Sequence, residues 1–174
     1  MYLFFDTETT GIPRNYKAAV SDLQNWPRLV QLAWLLIDDE AHEVASAEYI
    51  ARPVGFTIPV DAARIHGITT EIAAAKGVDI GTILDAVMPD IGKASVLVAH
   101  NMSFDEKILG AELLRAGRPN VVESRKRKCT MQGATDYCRL PGQYGYKWPT
   151  LQELHTKLFK EPFEGAHRAL VDVR

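Results

Sequence analysis

Cysteine is scarce in this chain: only Cys129 and Cys138 occur in 174 residues, with eight residues between them. No second pair exists to complete a zinc site, and two reduced, buried thiols are expected. Long apolar runs are missing as well. Nothing approaches the roughly 18 residues of a membrane span, and no basic segment leads into an apolar one at the N-terminus. A soluble cytoplasmic protein with no membrane partner is expected. An excess of positive charge is also absent, with 20 Lys and Arg against 22 Asp and Glu. That balance excludes the strongly basic proteins that grip nucleic acid by bulk charge, although a compact metal site can still draw in phosphate locally. The sequence has neither internal repeats nor low-complexity tracts. Its hydrophobic content, 47%, suffices for one substantial core, so a single domain over residues 1–174 is expected.

What the chain does have is an apolar strand, Tyr2-Leu3-Phe4-Phe5, that runs straight into Asp6-Thr7-Glu8-Thr9-Thr10-Gly11. Strand side chains alternate with period two, so Asp6 and Glu8 point the same way. Two like charges held that close on a buried sheet edge become tolerable chiefly when a cation neutralises both, which makes them candidate metal ligands. The competing reading is a strand that ends in a solvated acidic turn.

Further along, residues 11–26 read as a polar loop, long for a compact domain, where function or disorder usually resides. It carries cations and aromatics, Trp26 among them, and is expected to gate the site. Residues 29–37 and 43–50 form a hairpin around the Asp38-Asp39-Glu40 turn. Short helical turns follow over 61–65 and from Thr69 or Thr70. Apolar positions spaced three and four apart predict an amphipathic helix over 79–91. Val96-Leu97-Val98-Ala99 is a buried parallel strand, and a helix runs from there to Ala116. A fifth strand is expected to begin at Val121-Val122, whereas Arg125-Lys126-Arg127-Lys128 reads as a solvated cationic face. A helix over 131–140, an aromatic loop over 141–149 and a helix capped by Thr150 complete the pattern. A meander of strands followed by alternating strands and helices predicts an α/β fold with a mixed sheet.

Three segments taken together carry a resemblance. They are Phe5-Asp6-Thr7-Glu8-Thr9-Thr10-Gly11, Ala99-His100-Asn101-Met102-Ser103-Phe104-Asp105 and Ala166-His167-Arg168-Ala169-Leu170-Val171-Asp172, with Ile65-His66-Gly67-Ile68-Thr69 between the first two. In this order they resemble the DEDD superfamily of 3′-to-5′ exonucleases, in its DEDDh branch, which includes the proofreading subunit of bacterial replicative DNA polymerase. The likeness implies a ribonuclease H-like fold, a five-stranded mixed sheet with the first strand central. It implies that Asp6, Glu8 and Asp172 hold one divalent ion and that Asp6 with Asp105 holds a second, both Mg²⁺ or Mn²⁺. Oxygen-only ligands suit such ions, and a pair of them can stabilise attacking and leaving oxygens in phosphodiester displacement. His167 would be the general base. Arg168, in place of a tyrosine four residues before Asp172, puts the chain in the histidine branch. His167 and Asp172 lie about 140° apart on an ideal helix, so His167 is expected before the helix or in its first turn.

By the same resemblance, Thr7, Thr9, Thr10, His66 and Phe104 would hold the terminal nucleotide. Two of the candidate residues have a plainer reading, His66 as a helix-end cap and Asp105 as a complement to a helix dipole. The expected activity is hydrolysis of single-stranded DNA from its 3′ end, releasing nucleoside monophosphates, in proofreading or repair and in association with a DNA polymerase. A 3′ exoribonuclease and an inactive nucleic-acid-binding domain are the alternatives, since no residue is seen to read the 2′-hydroxyl. The family continues its last helix for several turns, whereas this chain stops at Arg174, so a fragment truncated in that helix is expected.

Overall fold

A computed structural model describes residues 1–161 and 169–173. The elements run β1 (Tyr2–Thr9), β2 (Leu29–Ile37), β3 (Glu43–Ile50), α1 (Val60–His66), α2 (Thr70–Lys76), α3 (Ile80–Lys93), β4 (Val96–Ala99) and α4 (Met102–Arg115). They continue with β5 (Lys126–Cys129), α5 (Thr130–Gly133), α6 (Thr135–Cys138), β6 (Pro141–Gly142), β7 (Gly145–Tyr146), α7 (Leu151–Phe159) and α8 (Ala169–Asp172). Five strands make one sheet in the order β3-β2-β1-β4-β5, antiparallel through β3, β2 and β1 and parallel through β1, β4 and β5.

β1 is central because both of its faces are apolar. Leu3 and Phe5 join Ile83, Leu84, Val87 and Ile91 of α3 and Ile108 and Leu109 of α4 in the main core. Phe4, on the opposite face, packs with Ala169, Leu170 and Val173 around α8. The alternation that sorts these residues also sorts the acids: Asp6 and Glu8 follow Phe4, and Thr7 follows Phe5. Asp79 starts α3 by accepting from Gly81 N–H at 2.7 Å, and Thr69 caps α2 by accepting from Ile72 N–H at 3.2 Å. Thr150 and Glu153 form a reciprocal capping box at α7.

Three expectations are corrected. The fifth strand is the cationic run itself, Lys126–Cys129, and not Val121-Val122; Val122 is buried in the core instead. Among the described residues β5 is an edge strand that pairs with β4 alone, and exposed lysines suit such an edge. Arg127 alternates to the α4 face and meets Glu106 at 2.6 Å. The single helix expected over 131–140 is two short ones, α5 and α6, meeting at Ala134, and Arg139 closes the second in the left-handed conformation (φ 51°). The aromatic loop over 141–149 contains the small β6–β7 hairpin.

The long connection after β1 is fastened along its length. Asn15 and Asn25 exchange side-chain to backbone hydrogen bonds at 2.8 and 2.9 Å. Lys107 donates to the carbonyls of Tyr16 and Ala18 and stands over the Trp26 ring, 4.9 Å from its centre. Arg115 donates to the carbonyls of Leu23 and Trp26, both at 2.6 Å. Trp26 is buried and gives its indole N–H to Ala19 O. The segment is thus held at many points between Asn15 and Trp26, and its tryptophan belongs to the core and is closed to a ligand.

Glu112 anchors the same region. It is fully buried and accepts from Arg28, Arg115 and the Leu29 amide. Removing a buried carboxylate leaves its partners uncompensated. Glu112→Ala is expected to lose about 3–5 kcal/mol of stability, read as a lower urea midpoint at unchanged m-value.

Candidate active site

The carboxyl-terminal end of β1 puts Asp6 and Glu8 on the face that α8 covers, and α8 delivers Asp172. One carboxylate oxygen from each of the three lies within 4.8 Å of the others. Asp105 comes from the first turn of α4 and is buried. Its Oδ1 accepts from the Thr7 amide at 3.1 Å and from the Thr7 hydroxyl at 2.7 Å. Thr7, one step out of phase with the acids on β1, thus ties the helix to the strand and sets Asp105 beside the trio. Asn101, in the left-handed conformation (φ 71°), turns the chain from β4 into α4 so that this first turn reaches β1.

Crowding four carboxyl groups makes ionisation costly. Burial raises Asp6 to about 7, with Asp172 adding to it. Burial, then Asp6 and Asp172, raises Glu8 to about 8. Burial and then Asp6 push Asp105 well above the usual carboxylate range, against the two bonds from Thr7. The donor set fits a hard divalent cation, because it is all oxygen, negatively charged and gathered to within one coordination sphere. Asp105, outside the trio but electrostatically linked to Asp6, suits a second ion.

The sign of the pH dependence follows from these directions. The native state holds protons on Asp6 and Glu8 that the unfolded chain gives up near pH 4. Stability from those protons is fully present below the unfolded values and is lost as pH rises through about 7 and 8. Metal-free protein should therefore melt at lower temperature near pH 8.5 than near pH 6. Saturating Mg²⁺ should shrink or reverse the difference, as differential scanning calorimetry would show.

A cavity of about 380 Å³ opens over the carboxylates, and Thr7, Thr9, His66 and Phe104 line it. His66 is buried at the end of α1, where its Nδ1 accepts from the Ile68 amide at 3.2 Å. It therefore carries its proton on Nε2. Thr9 donates its hydroxyl to Gly11 O at 2.6 Å. Thr10 stands apart from the cavity, its hydroxyl accepting from the Arg28 amide at 3.0 Å. His167 lies outside the described residues.

Sequence reasoning passed over other residues of this wall: Ile12, Ile65, His100 and Asn101. Ile12 is 75% exposed and Ile65 is 59% exposed, and both overhang the carboxylates. An exposed isoleucine directly after Gly11 in a polar loop was the available signal. His100 bonds Thr130 Oγ1 through Nδ1 and the Pro149 carbonyl through Nε2, both at 3.0 Å. A carbonyl only accepts, so Nε2 holds the proton. Burial also lowers the His100 pKa, which keeps the ring neutral.

This sheet order, with β1 central and an acidic cluster at the end of β1, defines a ribonuclease H-like fold. Residues 3–174 match the Exonuclease family (RNase_T), and the chain belongs to it. The enzyme class read from the three motifs stands with that membership. The fold is similar to E. coli exonuclease I in complex with a dT13 oligonucleotide, with a TM-score of 0.78 and 20% identity over 99% of this chain and 38% of that one. The zinc-ion-bound form of the E. coli exonuclease I complex with single-stranded DNA gives 0.77, again at 20% identity over 99% and 38%. An exonuclease I complex with SSB-Ct gives 0.75, at 18% identity over 99% and 39%. The chain thus spans less than two-fifths of the length of these exonuclease I chains. No curated protein sequence matches it. Among the described residues, no helix is long and apolar enough to cross a membrane.

Proposed function

We propose that this domain hydrolyses single-stranded DNA from its 3′ end, one nucleoside monophosphate at a time, using two Mg²⁺ or Mn²⁺ ions. The observation that carries this reading is the gathering of Asp6, Glu8 and Asp172 within 4.8 Å, with Asp105 alongside, under a cavity wide enough for a nucleotide. Asp6, Glu8 and Asp172 would hold the first ion, and Asp6 with Asp105 would hold the second. Bound there, the ions would activate a water and neutralise charge on the attacking and leaving oxygens. His167 would accept the proton of the attacking water on its imidazole. Thr7 keeps Asp105 in place through its hydroxyl and amide. His66 and Phe104 stand in the cavity wall against the terminal nucleotide, Thr9 shapes the rim, and Thr10 braces the turn behind it through the Arg28 amide.

The solved complexes of exonuclease I with dT13 and with dA16 support single-stranded DNA as the substrate. Proofreading or repair in the cytoplasm, beside a DNA polymerase, is the setting we attach to this activity. The test is release of mononucleotides from 3′-labelled DNA and RNA oligonucleotides with Mg²⁺, with Mn²⁺ and with chelator. Chelator-sensitive release from DNA is expected. Cleavage that survives the chelator, or that starts at the 5′ end, overturns the proposal, and faster turnover of RNA moves it to the exoribonuclease reading.

A further inference from the structure

We infer that the β6–β7 hairpin is a stacking platform for single-stranded nucleic acid lying upstream of the end being cut. This rests on the exonuclease reading above and extends it away from the carboxylates. Three large aromatics sit within five residues of the hairpin and stay in solvent: Tyr144 is 93% exposed, Trp148 60% and Tyr146 51%. None of the ring interactions among the described residues involves them. A group of exposed aromatics is costly to keep unless something covers it.

The hairpin that presents them is rigidly built. A Cβ on Gly142 would sit 2.9 Å from Gly145 O and 3.0 Å from Lys147 N, so only glycine fits there. Gly145 takes φ 124°, which side chains avoid. The Lys147 amide bonds Leu140 O at 3.0 Å and closes the ladder. Isolated two-stranded hairpins are marginal, and this one is fastened at its base. Lys147 Nζ reaches Glu153 Oε1 of α7 at 2.6 Å, and Pro149 O accepts from His100. His100 lines the cavity that holds Asp6, Glu8 and Asp105, so the platform joins the wall of the candidate active site directly.

Charge identifies the occupant as nucleic acid. Residues 125–160 hold eight lysines and arginines against two carboxylates, a net charge of +6 in a protein whose total is −2. Within that stretch Glu153 pairs with Lys147, and Arg127 pairs with Glu106 of α4. Lys126 and Lys128 are exposed on edge strand β5 and alternate to the same face. Flat exposed aromatics within a chain segment so rich in cations match the chemistry of unpaired bases on a phosphate backbone, whereas an apolar protein partner would not call for the cations.

The experiment compares parent protein with the Tyr144→Ala/Tyr146→Ala/Trp148→Ala variant in Ca²⁺, measuring affinity for short (about 4-nucleotide) and long (about 16-nucleotide) oligothymidylates. Turnover in Mg²⁺ is measured on the same oligonucleotides. The variant should bind the long strand on the order of 10- to 100-fold more weakly, while affinity for the short strand and kcat on it stay within about twofold. A Tyr144→Phe/Tyr146→Phe/Trp148→Phe variant should retain the parent's affinity, since stacking needs only the ring. Lys126→Ala/Lys128→Ala should reduce the salt dependence of long-strand binding by about 0.7 in log–log slope for each phosphate no longer neutralised. Parent-like affinity of the alanine variant for the long strand overturns the platform and leaves the aromatics to a protein partner. Equal losses on short and long strands also overturn it, because the aromatics would then act at the cavity. If the parent cuts neither strand but the alanine variant still loses long-strand affinity, the exonuclease reading fails and the platform stands.

Discussion

Asp6→Ala is expected to abolish cleavage to the limit of detection while the protein stays folded. Asp6 is the residue shared by both proposed ions, standing with Glu8 and Asp172 on one side and coupled to Asp105 on the other. No other carboxylate among the described residues shares both neighbourhoods, so none can take its place. Removing it also relieves repulsion. Glu8 and Asp105 are both held up partly by Asp6, and each should move back towards the ordinary carboxylate range. The variant should therefore be at least as stable as the parent near pH 8 in the absence of metal, although inactive. Single-turnover cleavage with saturating Mg²⁺, alongside thermal melts, separates the two effects. Activity near that of the parent would remove the two-ion assignment.

His167→Ala should lose on the order of 10²–10⁴-fold in rate, the usual contribution of a positioned general base. The base must be neutral to accept a proton. For the parent, the rate should therefore rise with pH through roughly 6 to 7 and then level off. The variant should lack the inflection yet bind Mg²⁺ about as well as the parent in calorimetric titration, because the proposed ligands are carboxylates. Loss of metal binding, or an unchanged pH profile, would give the role to another group.

The residues hardest to misread in the sequence were those governed by local periodicity. Alternation along β1 placed Asp6 and Glu8 on one face without any knowledge of the sheet, and the spacing of Ile83, Leu84, Val87 and Ile91 fixed the buried side of α3. Long-range partners were not legible. That Thr7 grips Asp105 depends on two segments 98 positions apart. Composition made residues 11–26 read as a long polar loop, and the groups that fasten it, Lys107 and Arg115, lie on a helix about ninety positions away. β5 escaped notice because an edge strand needs little apolar content, so Lys126 and Lys128 carried only the signature of a solvated surface. Residues 141–149 read only as a loop, because the two-residue strands β6 and β7 are too short to show alternation.

α4 works as a lever with two loads. Its first turn carries Asp105 onto Thr7, while Lys107 and Arg115 further along grip the segment that begins with Ile12 at the cavity mouth. The floor and the rim of the cavity are thereby one mechanical part. A lesion at Lys107 or Arg115, neither of which lines the cavity, would disturb strand entry and the acidic cluster together. In a kinetic survey it would be indistinguishable from damage to the active site itself.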